Sequence, residues 1–184
     1  MTIVRDIRPA GSSDLVTLRD GSQVQLRVLR DRDEAALRAF LAGVTPESLR
    51  RRFCGATDLA RTATSLVSGC GADDLALIAE TGVTAEIVAH AASFRLGATR
   101  AEVAFLVTDE WQGRGLGSLL LTRLTEYAQF EGITTLVAEV LPGNPAMIAV
   151  FERCGHRVEV RWDTHGVQVE IDLATRVPAV ARAA

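Results

Sequence analysis

Two periodicities divide the chain. Leu15-Val16-Thr17-Leu18 and Val24-Gln25-Leu26-Arg27-Val28 alternate apolar and polar positions, with Arg19-Asp20-Gly21-Ser22 between them. Asp-Gly between alternating runs is the strongest short-range hairpin signal, so the chain is expected to open with two strands. Asp31 is a candidate cap for a helix through about Leu41, whose apolar side carries Ala35, Leu37, Phe40 and Leu41. Thr45-Pro46-Glu47 starts a second helix with Pro at its first position. Asp58 starts a third that reaches about Ser68, where Gly69-Cys70-Gly71 closes it. Three extended segments follow at Leu75–Ala79, Glu86–Phe94 and Ala101–Val107, broken by turns at Thr81-Gly82 and Gly97-Ala98. The second half reads as a glycine-rich loop at 112–117, an amphipathic helix from 117 to about Phe130, a strand Thr135–Leu141, a helix Pro145–Cys154, and strands near 156–162 and 167–173. This is a mixed α/β pattern, and no repeat of about 20–50 residues points to a solenoid or propeller.

Length and composition narrow the picture. With 184 residues, 48% hydrophobic and 23% charged, the chain fits one globular domain at about 150 residues per domain. Residues 1–14, with Pro9, Gly11, Ser12 and Ser13, read as a flexible leader, 15–173 as the single domain, and 174–184 as a loose tail. No apolar run approaches the roughly 20 residues of a membrane span. The start lacks the apolar core of a secretory signal, so a cytoplasmic location is expected. A formal charge of −3 argues against nucleic acid as a partner, because counterion release needs a basic face. All 20 basic residues are Arg; the lysine-free, Ala-rich composition fits a GC-rich genome and leaves no lysine side chain of its own to acylate. Cys54, Cys70 and Cys154 have no CxxC spacing and His90, His156 and His165 are scattered. No metal is therefore expected, and the cysteines read as reduced and structural.

The segment Val107-Thr108-Asp109-Glu110-Trp111-Gln112-Gly113-Arg114-Gly115-Leu116-Gly117-Ser118 lies between a strand and a helix. Glycines there let backbone N–H groups converge, and a helix N-terminus adds about half a positive charge, which suits a pyrophosphate. A P-loop is excluded because it requires Lys. A dinucleotide fingerprint requires GxGxxG, whereas the third glycine here arrives one residue early, although Glu139 lies at a suitable distance downstream. A plain glycine-rich turn stays open beside the phosphate reading.

Gln112-Gly113-Arg114-Gly115-Leu116-Gly117 resembles the Q/R-x-x-G-x-G/A pyrophosphate loop of the GNAT acyltransferases. The likeness extends to Phe105-Leu106-Val107 before the loop, and to Ala138-Glu139-Val140-Leu141-Pro142-Gly143-Asn144 and Phe151-Glu152-Arg153-Cys154-Gly155-His156 after it. It implies a mostly antiparallel sheet flanked by helices and splayed at the family's fourth and fifth strands, with acetyl-CoA as cosubstrate. Phe105, Leu106 and Val107 would face the pantetheine arm and thioester, Gln112 to Ser118 the phosphates with help from Arg114, and Asn144 the CoA arm, although a plain helix-cap role competes for Asn144. A closer resemblance is to the GNAT domain of bacterial Pat-type protein lysine acetyltransferases, which act on acyl-CoA synthetases. It rests on Val16-Thr17-Leu18-Arg19-Asp20-Gly21-Ser22, Pro46-Glu47-Ser48-Leu49-Arg50-Arg51-Arg52-Phe53, Ala101-Glu102-Val103-Ala104-Phe105-Leu106-Val107 and Pro142-Gly143-Asn144-Pro145-Ala146-Met147.

The implied reaction is direct attack of an amine on the thioester within a ternary complex. A lysine-type amine, with a pKa of about 10.4, is almost wholly protonated at neutral pH, so a general base helps. Glu102, the acid that interrupts the strand before the loop, matches the catalytic Glu of the Pat-type strand; an outward-facing carboxylate is the plainer reading. Glu139 is the second candidate, its pKa raised if it is buried. Phe151 occupies the position where several family members carry a Tyr acid, and the chain's one Tyr, Tyr127, lies on the preceding helix. Cys154 invites an acyl-enzyme, against which stands a simple buried cysteine. Arg50, Arg51 and Arg52 form either a steering patch for an acidic protein or a solvated helix face. A small-molecule amine as acceptor, an acyl-CoA-binding module of weak activity, and a homodimer all stay open.

Overall fold

The computed structural model describes residues 13–53, 58–68, 74–82, 84–162 and 166–177. Residues 1–12 of the 1–14 leader, Cys54, Cys70, the glycine closure at 69–71, His165 and residues 178–184 of the tail lie outside them, while Asp14, read as leader, begins the first strand.

The hairpin signal resolves into β1 (Asp14–Thr17) and β2 (Gln23–Val28). The Leu18 carbonyl accepts from the Gly21 N–H at 3.1 Å, so Arg19 and Asp20 are the central residues of the turn, and Gly21 follows at φ 83°. That is the pattern of a tight turn closed by a glycine in the left-handed region. Three helices come next: α1 (Glu34–Gly43), α2 (Pro46–Phe53) and α3 (Leu59–Ser68). A single 3-10 turn over Asp31–Asp33 precedes α1, and Asp31 makes no cap. Asp33 takes the local role instead, its carboxylate accepting from the Arg30 N–H at 2.8 Å while it pairs with Arg27 of β2.

Strands β3 (Leu75–Thr81), β4 (Glu86–Arg95) and β5 (Arg100–Val107) form an antiparallel meander. They are followed by α4 (Leu116–Phe130), β6 (Thr135–Val140), α5 (Pro145–Glu152), β7 (His156–Trp162) and β8 (Val167–Arg176). The last strand runs three residues past the 173 expected from the pattern, and α5 stops two residues before Cys154. One eight-stranded sheet results, in the order β1-β2-β3-β4-β5-β6-β8-β7.

Apolar side chains on both faces of the central strands dictate two layers of helix. On one face Leu120, Leu121 and Leu124 of α4 and Phe151 of α5 pack with Leu77, Val103, Leu136 and Ile171. On the other, Leu37, Phe40 and Leu41 of α1 and Ala63 of α3 pack with Ile78, Ile87 and Leu106. Full burial of each such leucine contributes about 2 kcal/mol. The second layer stops at β5. Beyond it, the same face of β8 presents Gln168, Glu170 and Asp172, while the alternate Val167, Val169 and Ile171 are buried against the first layer. Period-two alternation thus encodes a sheet covered on both faces at its centre and on one face at its far side.

The pair β5/β6 is the sheet's parallel contact. It holds for three registered positions, Arg100↔Thr135, Ala101↔Leu136 and Glu102↔Val137. Past Glu102, β5 stays with β4 as far as Val107, and β6 stays with β8 as far as Val140. Each strand keeps its antiparallel partner, and the sheet opens between them. This is the expected splay, at the fifth and sixth strands of this chain because the N-terminal hairpin adds a strand.

Candidate active site

A cavity of about 570 Å³ occupies the fork between β5 and β6 and extends over the N-terminus of α4. Glu102 stands at its base, in the last register position the two strands share. Glu139 lies two residues beyond Glu102's partner Val137, hence on the same sheet face. Both carboxylates line the cavity. Glu102 is half-buried, whereas Glu139 is exposed rather than enclosed by its apolar neighbours. Neither makes a hydrogen bond or ion pair among the described residues.

The glycine loop forms the cavity's other end. Gly113 (φ 76°) and Gly115 (φ 91°) occupy the left-handed region, where an L side chain costs about 1–2 kcal/mol. The third glycine acts differently: it is helical, and a Cβ there would stand 3.7 Å from the Val150 side chain of α5. That is ordinary van der Waals distance, so Gly117 lies at the contact of α4 with α5 without the packing requiring a glycine there. The first i→i−4 bond of α4 is from the Leu119 N–H to the Gly115 carbonyl at 3.0 Å. The N–H groups of Leu116, Gly117 and Ser118 precede it without an intrahelical acceptor, at the positive end of a 15-residue helix.

Phe105, Leu106, Val107, Gln112, Gly113, Gly115, Leu116, Gly117, Ser118 and Asn144 all line the cavity. Arg114 does not. Its Nε donates to the Glu110 carbonyl at 3.0 Å, its Nη1 pairs with Asp20 of the hairpin turn at 3.2 Å, and its guanidinium lies 4.7 Å over the Trp111 ring. Hydrogen bonds from the Ser22 hydroxyl and N–H hold the Asp20 carboxyl below its ordinary range, so that partner is ionised at neutral pH. Asn144 does cap α5, its Oδ1 accepting from the Met147 N–H at 3.3 Å, and its amide NH2 has no partner among the described residues. It holds the helix and faces the cavity together.

Sequence reasoning missed a brace beneath the loop. Asp109 accepts from the Ser48 hydroxyl at 2.9 Å and from the Thr45 hydroxyl and N–H at 3.1 and 3.2 Å. Partial burial raises the Asp109 pKa, but those hydrogen bonds outweigh it and hold the carboxyl low. Gln112 Nε2 donates to the Ser48 hydroxyl at 3.3 Å and to the Val107 carbonyl at 3.1 Å. The start of α2 is thereby fastened to the strand-to-loop junction. The motif T-P-E-S was legible as a helix start; its attachment to Asp109 was not.

Phe151 is buried, its ring edge-on to Phe105 at 6.0 Å and 66°. Tyr127, on α4, packs on the core and does not line the cavity. Cys154 is half-buried outside the cavity, and burial pushes its thiol pKa up, the reverse of what a nucleophile needs. Arg50 and Arg51 both pair with Glu47 along their own helix, at 3.1 and 3.0 Å, and Arg51 and Arg52 also line the cavity. His90 of β4 is buried, and burial together with the Arg52 charge pushes its pKa down to about 3. Among the described residues no group of His, Cys, Asp and Glu is placed to hold a metal, and no helix is long and apolar enough to cross a membrane.

Comparison with known proteins agrees with this geometry. The profile of the acetyltransferase (GNAT) family matches residues 50–156. Acetyltransferase Pat of Mycolicibacterium smegmatis is 39% identical over 104 residues, 55% of this chain and 31% of that protein, so the chain spans about a third of that curated relative. The crystal structure of the GNAT domain of S. lividans PAT superposes with a TM-score of 0.78 at 33% identity, covering 87% of this chain and 96% of that domain. The protein yncA from Salmonella typhimurium, solved with its cofactor acetyl-CoA, shares the fold at a TM-score of 0.65 and 18% identity over 86% of this chain and 98% of that one. With a loop cradle, a strand fork and a matching family profile on one cavity, the chain belongs to the GNAT family of acetyltransferases.

Proposed function

We propose that the protein transfers an acetyl group from acetyl-CoA to the side-chain amine of a protein lysine, with Glu102 as general base. The observation that carries this reading is the continuity of one cavity from the N–H groups at the start of α4 to the carboxylate at the base of the fork. Acetyl-CoA, when bound, supplies the activated thioester carbonyl that the amine attacks.

The chain's residues supply the rest. Backbone N–H groups from Gly113 to Ser118 form an anion cradle without needing a lysine. Past Glu102, the edge of β5 that faces the cavity has no β6 partner, which leaves main-chain groups of 103–107 to hold an extended arm. Asn144 offers its amide NH2 from the opposite wall.

Only about one lysine in a few thousand is neutral at pH 7, so a carboxylate that accepts its proton removes a large penalty. Glu102 and Glu139 are suited to a cationic acceptor because neither is in an ion pair among the described residues, even though Arg51, Arg52 and Arg153 line the same cavity, whereas Glu170 on the same face is paired with Arg100 at 3.2 Å. Glu102 is the base in this reading because it is half-buried at the closed end of the fork; Glu139, exposed toward the rim, attracts the acceptor. With Phe151 in the core, no phenol protonates the leaving thiolate, which departs as the anion, as a thiol of pKa about 8.5 permits. The Pat-type stretches favour a protein acceptor, an acyl-CoA synthetase being the first to try. A free small amine is the alternative, which the openness of the polar sheet face beyond β5 also admits.

Calorimetric titration with acetyl-CoA, with NADH and ATP as controls, tests the cradle. Acceptor-dependent release of CoA, with lysine peptides, acyl-CoA synthetases and small amines in parallel, then tests the reaction. Binding of acetyl-CoA alone and transfer abolished in Glu102→Gln are the expected results; NADH binding in its place would overturn the reading.

A further inference from the structure

Arg114, expected at the phosphates, is engaged elsewhere and does not line the cavity, and a different arginine reaches the loop. Arg19, a central residue of the β1–β2 turn, lines the cavity, and a Cβ placed on Gly115 would lie 3.7 Å from both its Cδ and its Nε. Its side chain therefore crosses the glycine at the threshold of α4. Unlike Arg114, it makes no hydrogen bond or ion pair among the described residues. Nothing in the packing explains why an exposed arginine is held over a bare glycine.

The hairpin that carries it is secured at several points. Leu18, next in sequence, is buried in the core beside α4. Asp14, at the start of β1, pairs with Arg123 of α4 at 3.2 Å, and Asp20, on the other side of Arg19, pairs with Arg114 at 3.2 Å. The Leu18 N–H to Ser22 carbonyl bond at 2.8 Å closes the turn. Each surface pair contributes little to stability, but together they set the direction in which Arg19 leaves the sheet.

We propose that Arg19 is a phosphate ligand of the acyl-CoA site: it closes over the pyrophosphate cradled by Gly113 to Ser118, while Arg114 acts as a positioning residue that latches the hairpin through Asp20. The inference rests on the acetyl-CoA reading above. Two arginines thus divide one task. Arg114 belongs to the loop and holds the hairpin, and Arg19 belongs to the hairpin and serves the loop. A guanidinium is suited to this because its planar donors engage two phosphate oxygens at once.

The test compares wild type, Arg19→Gln, Arg19→Lys and Asp20→Asn for binding of acetyl-CoA, acetyl-3′-dephospho-CoA and acetyl-pantetheine, with steady-state turnover of the first. The expected result for Arg19→Gln is a rise of about tenfold in Kd and KM for acetyl-CoA, with kcat held within about twofold. Arg19→Lys recovers part of the loss, and Asp20→Asn shows a smaller rise because the turn is only loosened. The same rise is expected with acetyl-3′-dephospho-CoA, and none with acetyl-pantetheine, which has no pyrophosphate. Loss confined to ligands with the 3′-phosphate overturns the pyrophosphate assignment, and unchanged binding in Arg19→Gln overturns the proposal. Failure of the wild type to bind any of the three overturns the acetyl-CoA reading and this inference with it.

Discussion

Two clusters of charge, one on each side of the central meander, show what the fold does with carboxylates. At the β2/β3 junction, Arg27 is gripped by Asp33 at 2.6 and 3.0 Å and by Glu80 through two more hydrogen bonds, one of 2.9 Å to its Nε. All three side chains are at most 14% exposed, and the hydrogen bonds that the arginine donates to Asp33, ahead of those to Glu80, raise its pKa despite its burial. At the β5/β6 fork, Glu102 and Glu139 have no such partner. The first cluster is closed upon itself and serves only the fold. The second has no ion-pair partner among the described residues and lines the cavity, which suits the base and the cationic acceptor proposed above.

The largest expected effect breaks the second cluster. Glu102→Gln should lower kcat by about 100-fold or more while acetyl-CoA affinity stays near wild type, measured by CoA release and calorimetry; Glu139→Gln should mainly raise KM for the acceptor. The reverse pattern would make Glu139 the base. Next comes the closed cluster. Arg27→Met leaves two buried carboxylates facing each other and should cost about 3–5 kcal/mol in urea unfolding, with kcat per folded molecule unchanged. Replacing all three residues by apolar ones should restore most of that stability, and failure to do so would mean the cluster stabilises the fold outright.

A smaller effect is set by pH. His90, with its ordinary value of 6.5 depressed to about 3 by burial and then by Arg52, is neutral in folded and unfolded chains above pH 6.5. Below it, the unfolded chain takes up a proton that the folded one refuses. Stability from this site is therefore complete above pH 6.5 and lost by about 1.4 kcal/mol per pH unit toward pH 3. His156, also lowered by burial, works in the same direction. Urea unfolding at pH 7, 6 and 5 should show a steep loss in wild type and a shallower one in His90→Gln; parallel slopes would assign the loss elsewhere. The smallest change is Ser48→Ala, which removes one donor to Asp109 and one acceptor for Gln112. It should cost about 1 kcal/mol and raise KM for acetyl-CoA a few-fold as the loop loosens.

The hairpin, the two-period pattern and the glycine loop were legible because each depends on neighbours within a few residues: Gly21 and Gly115 announce a left-handed turn wherever they stand. The fork was legible only through family resemblance, since it arises from each of β5 and β6 following a different antiparallel partner. Glu102 was placed at the fork through the same likeness, but its half-burial and the exposure of Glu139 depend on which helices cover which face.

Local chemistry along the chain thus decided where strands and helices begin, where an anion cradle forms, and which carboxylates interrupt apolar strands. Tertiary structure alone decided which arginine reaches the cavity beside the glycine loop. Arg114 is in the motif and Arg19 is not, yet a pairing across 94 positions of sequence turns the first away and aims the second inward. A side chain's identity is written locally, but its direction is settled by whatever the fold packs beside it.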